Sequence, residues 1–299
     1  MARQYLSIDI GGTMIKSARI DHSGNIIIRD RIVTPHTRDG FIEAVTKIVL
    51  TAWSRVDAVC ISVPGVVNPQ TGWVKFTGAL AFLADFHLAQ HLHEQSRLPV
   101  YVGNDANCAT LAEMWLGNLR DVENGAVITL GTSVGGGIVI NKQLIHGPHF
   151  QAGELSAMMI DHDAAELHYS TLGATTSAVQ MIKAIADVCD LPDESDGRRA
   201  FAEIQAGNPL ARSIFEAFCR RVAVLVLNVQ TIVDLQRVLI GGGISAQPIL
   251  IKEIKHQFKK LQAGDRRLND DVTMPEIMPA AFGNEANLLG ALYGYLAQY

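Results

Sequence analysis

The spacing of apolar residues changes along the chain, and each change marks an element. Leu6–Ile10, Ile15–Ile20 and Ile26–Ile32 read as strands, the third following the turn Ser23-Gly24-Asn25. Phe41, Val45, Ile48 and Val49 then recur at helical spacing. Ala58–Val63 is a continuous apolar run, read as a buried strand that Pro64-Gly65 ends, and Asn68-Pro69-Gln70-Thr71-Gly72 is a turn. A helix falls within Leu83 to Gln95, a short strand at Val100–Val102, and a helix at Ala106–Leu116, closed by Gly117.

The second half opens in the same way. Ala126–Leu130 is a strand, Gly131-Thr132-Ser133 a turn, Gly137–Ile140 a second strand, and Gln143–Ile145 can be a third. Helices follow at Thr175–Val188, Pro209–Val233, Pro248–Leu261 and Ala286–Leu296. Between them lie the strand Val238–Ile240 and the extended run Val272–Met278, and the polar stretch Asp190–Arg199 reads as a surface loop. Each half therefore starts with a strand, a glycine turn carrying a hydroxyl residue, and further strands. The repeat is one of supersecondary structure. Two α/β lobes facing each other across a cleft would direct both turns to one ligand.

Composition narrows the function classes. With 299 residues, 48% hydrophobic and 18% charged, the chain has the material for a large core and not the character of a disordered one. A net charge of −5 with no long basic run argues against nucleic acid as partner. No apolar stretch reaches the length of about 20 residues that a membrane-spanning helix needs. The start, Met1-Ala2-Arg3-Gln4, enters a strand almost at once, which leads us to expect no signal peptide and a cytoplasmic protein. Cys60, Cys108, Cys189 and Cys219 are scattered without a CxxC pair and read as reduced thiols.

The candidate chemistry sits in glycine loops and one carboxylate. Asp9-Ile10-Gly11-Gly12-Thr13 ends the first strand. Glycines permit positive φ and close approach to an oxyanion, and backbone N–H groups in such a turn can hold phosphate oxygens. Asp9 can reach a magnesium ion directly or through water. The same segment can equally be the type I′ or II′ turn of a hairpin. Thr129-Leu130-Gly131-Thr132-Ser133-Val134-Gly135-Gly136-Gly137 suits a second phosphate contact, and Gly241-Gly242-Gly243 offers flat backbone for an adenosine. None of these is a GxxxxGK[ST] loop or a GxGxxG fingerprint. Asn104-Asp105 stands where a strand ends and a helix begins. It reads either as a helix N-cap or as a general base, Asp105, at the carboxyl end of a strand, with Asn104 holding the same substrate.

The ordered set Asp9-Ile10-Gly11-Gly12-Thr13, Asn104-Asp105-Ala106-Asn107, Gly131 to Gly137, Ala152-Gly153-Glu154 and Ile240-Gly241-Gly242-Gly243 resembles the ROK family of sugar kinases and sugar-responsive repressors. The likeness runs nearly end to end, finishing at Leu288-Leu289-Gly290-Ala291-Leu292. It implies an α/β, two-lobed actin-like sugar-kinase (ribonuclease H-like) fold with a hinged active-site cleft. One lobe would be residues 1–117 with the C-terminal helix 286–299, and the other residues 118–285. By the same resemblance Asp105 is the catalytic base, and Asn104 and Glu154 bind sugar hydroxyls. Gly11, Gly12, Thr13, Gly131 and Thr132 line the phosphates, Gly242 and Gly243 approach the adenosine, and Asp9 holds magnesium through water. Lys16 reads as an exposed strand lysine. The implied cofactors are ATP and magnesium, the partner is a small-molecule sugar, and the implied assembly is a homodimer.

The chain also departs from the family pattern. Glu154 is followed by Leu155-Ser156-Ala157 where most members have Gly-His, and the cysteine-rich zinc segment is missing, with no cysteine between Cys108 and Cys189. His162 and His168 without thiolates read as loop residues, so no zinc is expected. The second sugar-binding Glu has no clear counterpart; Glu166, His168 and Tyr169 are the nearest polar residues, and Thr77-Gly78-Ala79-Leu80 replaces an Asn-Leu pair that touches the sugar in many relatives. This pattern most resembles the zinc-less β-glucoside kinase branch, and Ala157 in place of an imidazole would widen the sugar pocket. The expectation is transfer of the γ-phosphoryl of ATP to a primary hydroxyl, O6, of a hexose or β-glucoside. N-acetylmannosamine, glucose and fructose remain open as substrates. A repressor would need a helix-turn-helix ahead of Asp9, where eight residues stand. A chaperone-type or actin-type ATPase fits poorly with the Asn104-Asp105 pair.

Overall fold

The computed structural model of the chain describes residues 3–76, 78, 80–160 and 170–298. They fall into two compact units, Met1–Arg120 with His146–Ala152 and Asn284–Tyr299, and Asp121–Ile145 with Gly153–Gly283.

The first unit opens with strands β1 (Gln4–Ile10), β2 (Met14–Asp21) and β3 (Ile26–Val33), then helix α1 (Arg38–Ala52). Thr37 caps α1 by accepting the Gly40 N–H, and Phe41, Val45 and Val49 bury one stripe of it. The buried strand β4 (Ala58–Val63) leads to three short strands, β5 (Val66–Asn68), β6 (Trp73–Phe76) and β7 (Phe86–His87), which form a separate small sheet. Helix α2 (Leu88–Ser96), strand β8 (Val100–Asn104) and helix α3 (Asp105–Trp115) follow. The main sheet has the order β3-β2-β1-β4-β8. β1 is antiparallel to β2 and parallel to β4, and β4 is parallel to β8.

The second unit repeats that plan. It contains β9 (Gly125–Leu130), β10 (Val134–Ile140), β11 (Gln143–Leu144), α4 (Leu172–Thr175), α5 (Ala178–Val188), α6 (Gly197–Ala206), α7 (Pro209–Val233), β12 (Arg237–Gly241), α8 (Pro248–Gly264), α9 (Arg266–Asp271) and β13 (Glu276–Pro279). Its sheet order is β11-β10-β9-β12-β13, with β9 antiparallel to β10 and parallel to β12. The repeat read from the strand and glycine pattern is thus a repeat of sheet topology, and each unit carries the five-stranded mixed sheet of the actin-like sugar-kinase fold. Each also has its own core, one built on Ile8, Ile61, Phe41 and Val102, the other on Ile128, Phe215, Phe218 and Phe258.

Local chemistry explains where the elements differ from the sequence reading. The expected loop Asp190–Arg199 is cut short because Asp196 accepts from Arg198 and Arg199 N–H groups and starts α6, whose Ala200, Phe201 and Ile204 are buried. The expected helix from Thr175 is two pieces, since α4 ends at Thr175 and Ser177 caps α5 anew. α9 starts at the Asp265 cap in a polar stretch with no apolar stripe to announce it, and the extended run expected from Val272 pairs only from Glu276.

The last helix, α10 (Ala286–Gln298), belongs to the first unit and packs on α3. Ser7 Oγ donates to the Leu288 carbonyl at 2.5 Å. Gly290 makes the approach possible, because a Cβ there would lie 1.6 Å from the Cys108 carbonyl oxygen.

Candidate active site

In the first unit, β1, β4 and β8 run in parallel, so their carboxyl ends meet along one edge, where ligands bind in open α/β sheets. Asp9 stands opposite Ser62 in the ladder, and Val63 opposite Asn104. Asp9 is 7% exposed. Its Oδ1 accepts from Ser62 Oγ at 3.2 Å and from Asn287 Nδ2 of α10 at 2.9 Å. Its Oδ2 accepts from Lys16 Nζ at 3.3 Å. Lys16, read from sequence as an exposed strand lysine, is half-buried and ion-paired, because the β1–β2 ladder sets it opposite Asp9. A buried carboxylate needs such partners. Magnesium binds through few carboxylates and keeps most of its water. With both oxygens hydrogen-bonded, Asp9 suits that ion as a contact made through water.

At Asn104 the structure shows the cap reading. Asn104 is the N-cap of α3, its Oδ1 accepting from the Asn107 N–H at 3.0 Å. Its Nδ2 donates to the Gly65 carbonyl at 2.8 Å and to Asp105 Oδ1 at 3.0 Å. Asp105 is the first residue of the helix and half-buried, its Oδ1 also accepting from the Ala106 N–H at 2.8 Å. Behind the pair, burial pushes the Cys108 thiol well up, and the charges of Asp105 and Asp9 add to the shift while a hydrogen bond with Ser62 opposes it. A neutral thiol thus fills the space beside the carboxylates.

The Gly11-Gly12-Thr13 loop joins β1 to β2, so the hairpin reading holds, but the turn is not type I′ or II′. Those turns need positive φ, and neither Gly11 nor Gly12 is among the described residues that have it. The Gly11 N–H donates to the Met14 carbonyl at 3.0 Å, and Thr34 ties down both ends, its Oγ1 to the Gly11 carbonyl at 2.7 Å and its N–H to the Thr13 carbonyl at 2.9 Å.

In the second unit the parallel strands β9 and β12 bring Thr129 opposite Gly241, so the Gly131-Thr132 and Gly242-Gly243 loops leave the same edge of the sheet. Thr132 and both of these glycines are exposed. The Gly131 carbonyl accepts from the Ala178 N–H at the start of α5 at 2.9 Å, which fixes the loop against a helix end. Gly242 has φ +95°, and a Cβ there would come within 2.1 Å of the Leu130 carbonyl oxygen. At Gly243 nothing lies within 4 Å of a Cβ position, so its bare backbone faces open space. Glu154 is exposed, accepts a short hydrogen bond from Ser156 Oγ, and follows Gly153, which packs on Gly136 of β10. Ala157 is exposed.

The remaining sequence candidates, Thr77, Ala79, His162, Glu166, His168 and Tyr169, lie outside the described residues. Among the described residues no cluster of three or more His, Cys, Asp or Glu side chains is arranged to hold a metal ion, and no helix is long and apolar enough to cross a membrane. Sequence reasoning missed Ser62 and Asn287, two of the three donors to Asp9. Ser62 lies in a run read only as a buried strand, and Asn287 is 278 residues away in sequence.

Comparison with known proteins identifies the family and the fold. The model of the ROK family matches residues 5–298. A β-glucoside kinase of Listeria monocytogenes is 32% identical over 294 residues, covering 98% of this chain and 97% of that protein. A ROK family protein from Streptococcus pneumoniae, solved in complex with sucrose, superposes with a TM-score of 0.86 at 29% identity, covering 99% of this chain and 98% of that one. A ROK family glucokinase from Streptomyces griseus, solved with glucose and AMPPNP, superposes with a TM-score of 0.83 at 25% identity, covering 97% and 98%.

Proposed function

The chain belongs to the ROK family and is a carbohydrate kinase, and we propose that it transfers the γ-phosphoryl group of ATP to the primary hydroxyl, O6, of a β-glucoside, with Asp105 as general base. The observation that carries this reading is the Asn104-Asp105 pair at the carboxyl end of β8. Asn104 is pinned by Gly65 and by the helix it caps, and its Nδ2 donates to Asp105 Oδ1 beside it. As the sugar oxygen attacks phosphorus, its proton passes to Asp105, the bond from phosphorus to the bridging oxygen breaks, and ADP leaves. Asn104 and Glu154 bind sugar hydroxyls. Gly11, Gly12, Thr13, Gly131 and Thr132 bind the phosphates through backbone N–H groups and hydroxyls, and Gly242 and Gly243 lie along the adenosine. Asp9 would hold magnesium through water, and the ion bound with the nucleotide would supply neutralising charge at the phosphate oxygens.

The β-glucoside preference is supported by the likeness to the Listeria enzyme and by the small, exposed Ala157 two residues beyond Leu155. The same reading makes the protein a cytoplasmic homodimer. A coupled assay of ADP release with cellobiose, gentiobiose, glucose, N-acetylmannosamine and fructose tests it. We expect the two β-glucosides to give the highest kcat/KM. A higher value for free glucose or N-acetylmannosamine would remove the β-glucoside assignment while leaving the kinase in place.

A further inference from the structure

We propose that the first unit carries a second ligand site, for a phosphate monoester, at the amino end of its sheet. Arg3, Arg19 and Arg55 line one cavity of about 600 Å³ there, with Gln4, Trp53 and Asp57. Arg19 lies on β2 opposite Leu6, whereas Asp9 and the glycine loop lie at the other end of the same strand pair. Arg55 closes the short helical turn after α1, and Arg3 precedes β1.

Two observations point to an anion, and a third to the body that carries it. Arg19 Nε is sealed from solvent and has no hydrogen-bond partner. An unmet donor on a permanently charged group is costly, and native proteins rarely leave one without a ligand, ion or water. The charges are also out of balance. Three guanidiniums share this cavity with one acid, Asp57, whose Oδ2 already accepts the Gln4 N–H. The carboxyl end of α1 adds about half a negative charge. The remainder, about one and a half positive charges, matches a phosphate monoester, which carries about −1.5 to −2 at pH 7. Planar guanidiniums are suited to the bidentate recognition of its oxygens.

The third observation concerns the rest of the ligand. A neighbouring cavity of about 540 Å³ shares Arg19 and Arg55 and has an apolar floor that includes Leu6, Ala18 and Ile48. Its rim acids, Asp30 and Glu43, outnumber Lys47, so a second anionic group is disfavoured there. The ligand therefore places its phosphate at the arginines and an uncharged body in the second cavity. Trp53 is half-exposed at the wall, its Nε1 held by the Ser96 carbonyl at 2.7 Å, and serves as a reporter. None of these residues has a role in the kinase reading.

The test is a tryptophan-fluorescence titration of the full chain with phenyl phosphate, a hexose 6-phosphate and inorganic phosphate. We expect a saturable change that disappears in Trp53→Phe. Arg19→Gln should raise the dissociation constant at least about tenfold. Arg55→Gln, at an exposed position, should weaken binding in the same direction and guards against misfolding of the Arg19 variant. Tighter binding of the hexose 6-phosphate identifies a phosphorylated sugar as the source, and tighter binding of phenyl phosphate a more apolar ester. The proposal is overturned if no ester gives a saturable change, if both arginine variants bind as the parent does, or if AMPPNP displaces the ester.

Discussion

The two sheets share an order and a set of strand directions, yet their carboxyl edges carry opposite kinds of chemistry. In the first unit the edge adds polar side chains to its glycine loop: Asp9 with three donors, Asn104 bonded to Gly65 and Asn107, and Asp105 at a helix start. In the second it is made of backbone, with Gly131, Gly242 and Gly243 where side chains would stand. A repeated scaffold thus supplies the same shelf twice, and composition decides what each shelf does. Side chains provide groups that ionise and accept protons. Bare backbone provides N–H groups and flat surface that bind without ionising.

The comparison breaks most visibly at Asp105. Asp105→Asn keeps the shape and removes the proton acceptor, so kcat should fall about 10²- to 10⁴-fold while calorimetry still detects sugar binding. Undiminished turnover would place the base elsewhere. In the second unit the damaging change is an added side chain. Gly242→Ala puts a methyl against the Leu130 carbonyl at positive φ and should cost about 3 kcal/mol in denaturant unfolding, whereas Gly243→Ala should stay within about 0.5 kcal/mol and raise KM for ATP instead. Equal stability of the two variants would argue against the backbone description of that loop. Asn287→Ala removes one donor from a nearly buried carboxylate and should cost about 1.5–3 kcal/mol, with a raised KM for the metal–nucleotide. The smallest effect is chemical. Burial raises the Cys60 and Cys108 thiols and seals them, so iodoacetamide should label half-buried Cys189 first and reach those two only on unfolding, as mass spectrometry can follow.

Much of this was legible in the sequence because it is local. A strand, two glycines and a hydroxyl within nine residues announce the first loop, and Asn104-Asp105 before an apolar helix announces both a cap and a carboxylate. The resemblance across the whole chain gave the order of these pieces and so the fold. What was not legible depends on distant partners or on weak periodicity. Nothing near Asp9 names Asn287 as its donor. The Lys16 ion pair needs the strand register, in which Asp9 faces Lys16 across the ladder. α6 and α9 were missed because their Asp caps lie in polar stretches that resemble loops, and the small β5-β6-β7 sheet because its strands are two to four residues long.

The position of α10 has a consequence for how the molecule is made. Domains fold as units while the chain emerges from the ribosome, the earlier ones first. Here the segment that emerges first is completed by the one that emerges last, since Ser7 donates to the Leu288 carbonyl and Asp9 accepts from Asn287. A nascent chain that ends just before Asn284 therefore contains every strand of both sheets but lacks the helix that covers the first.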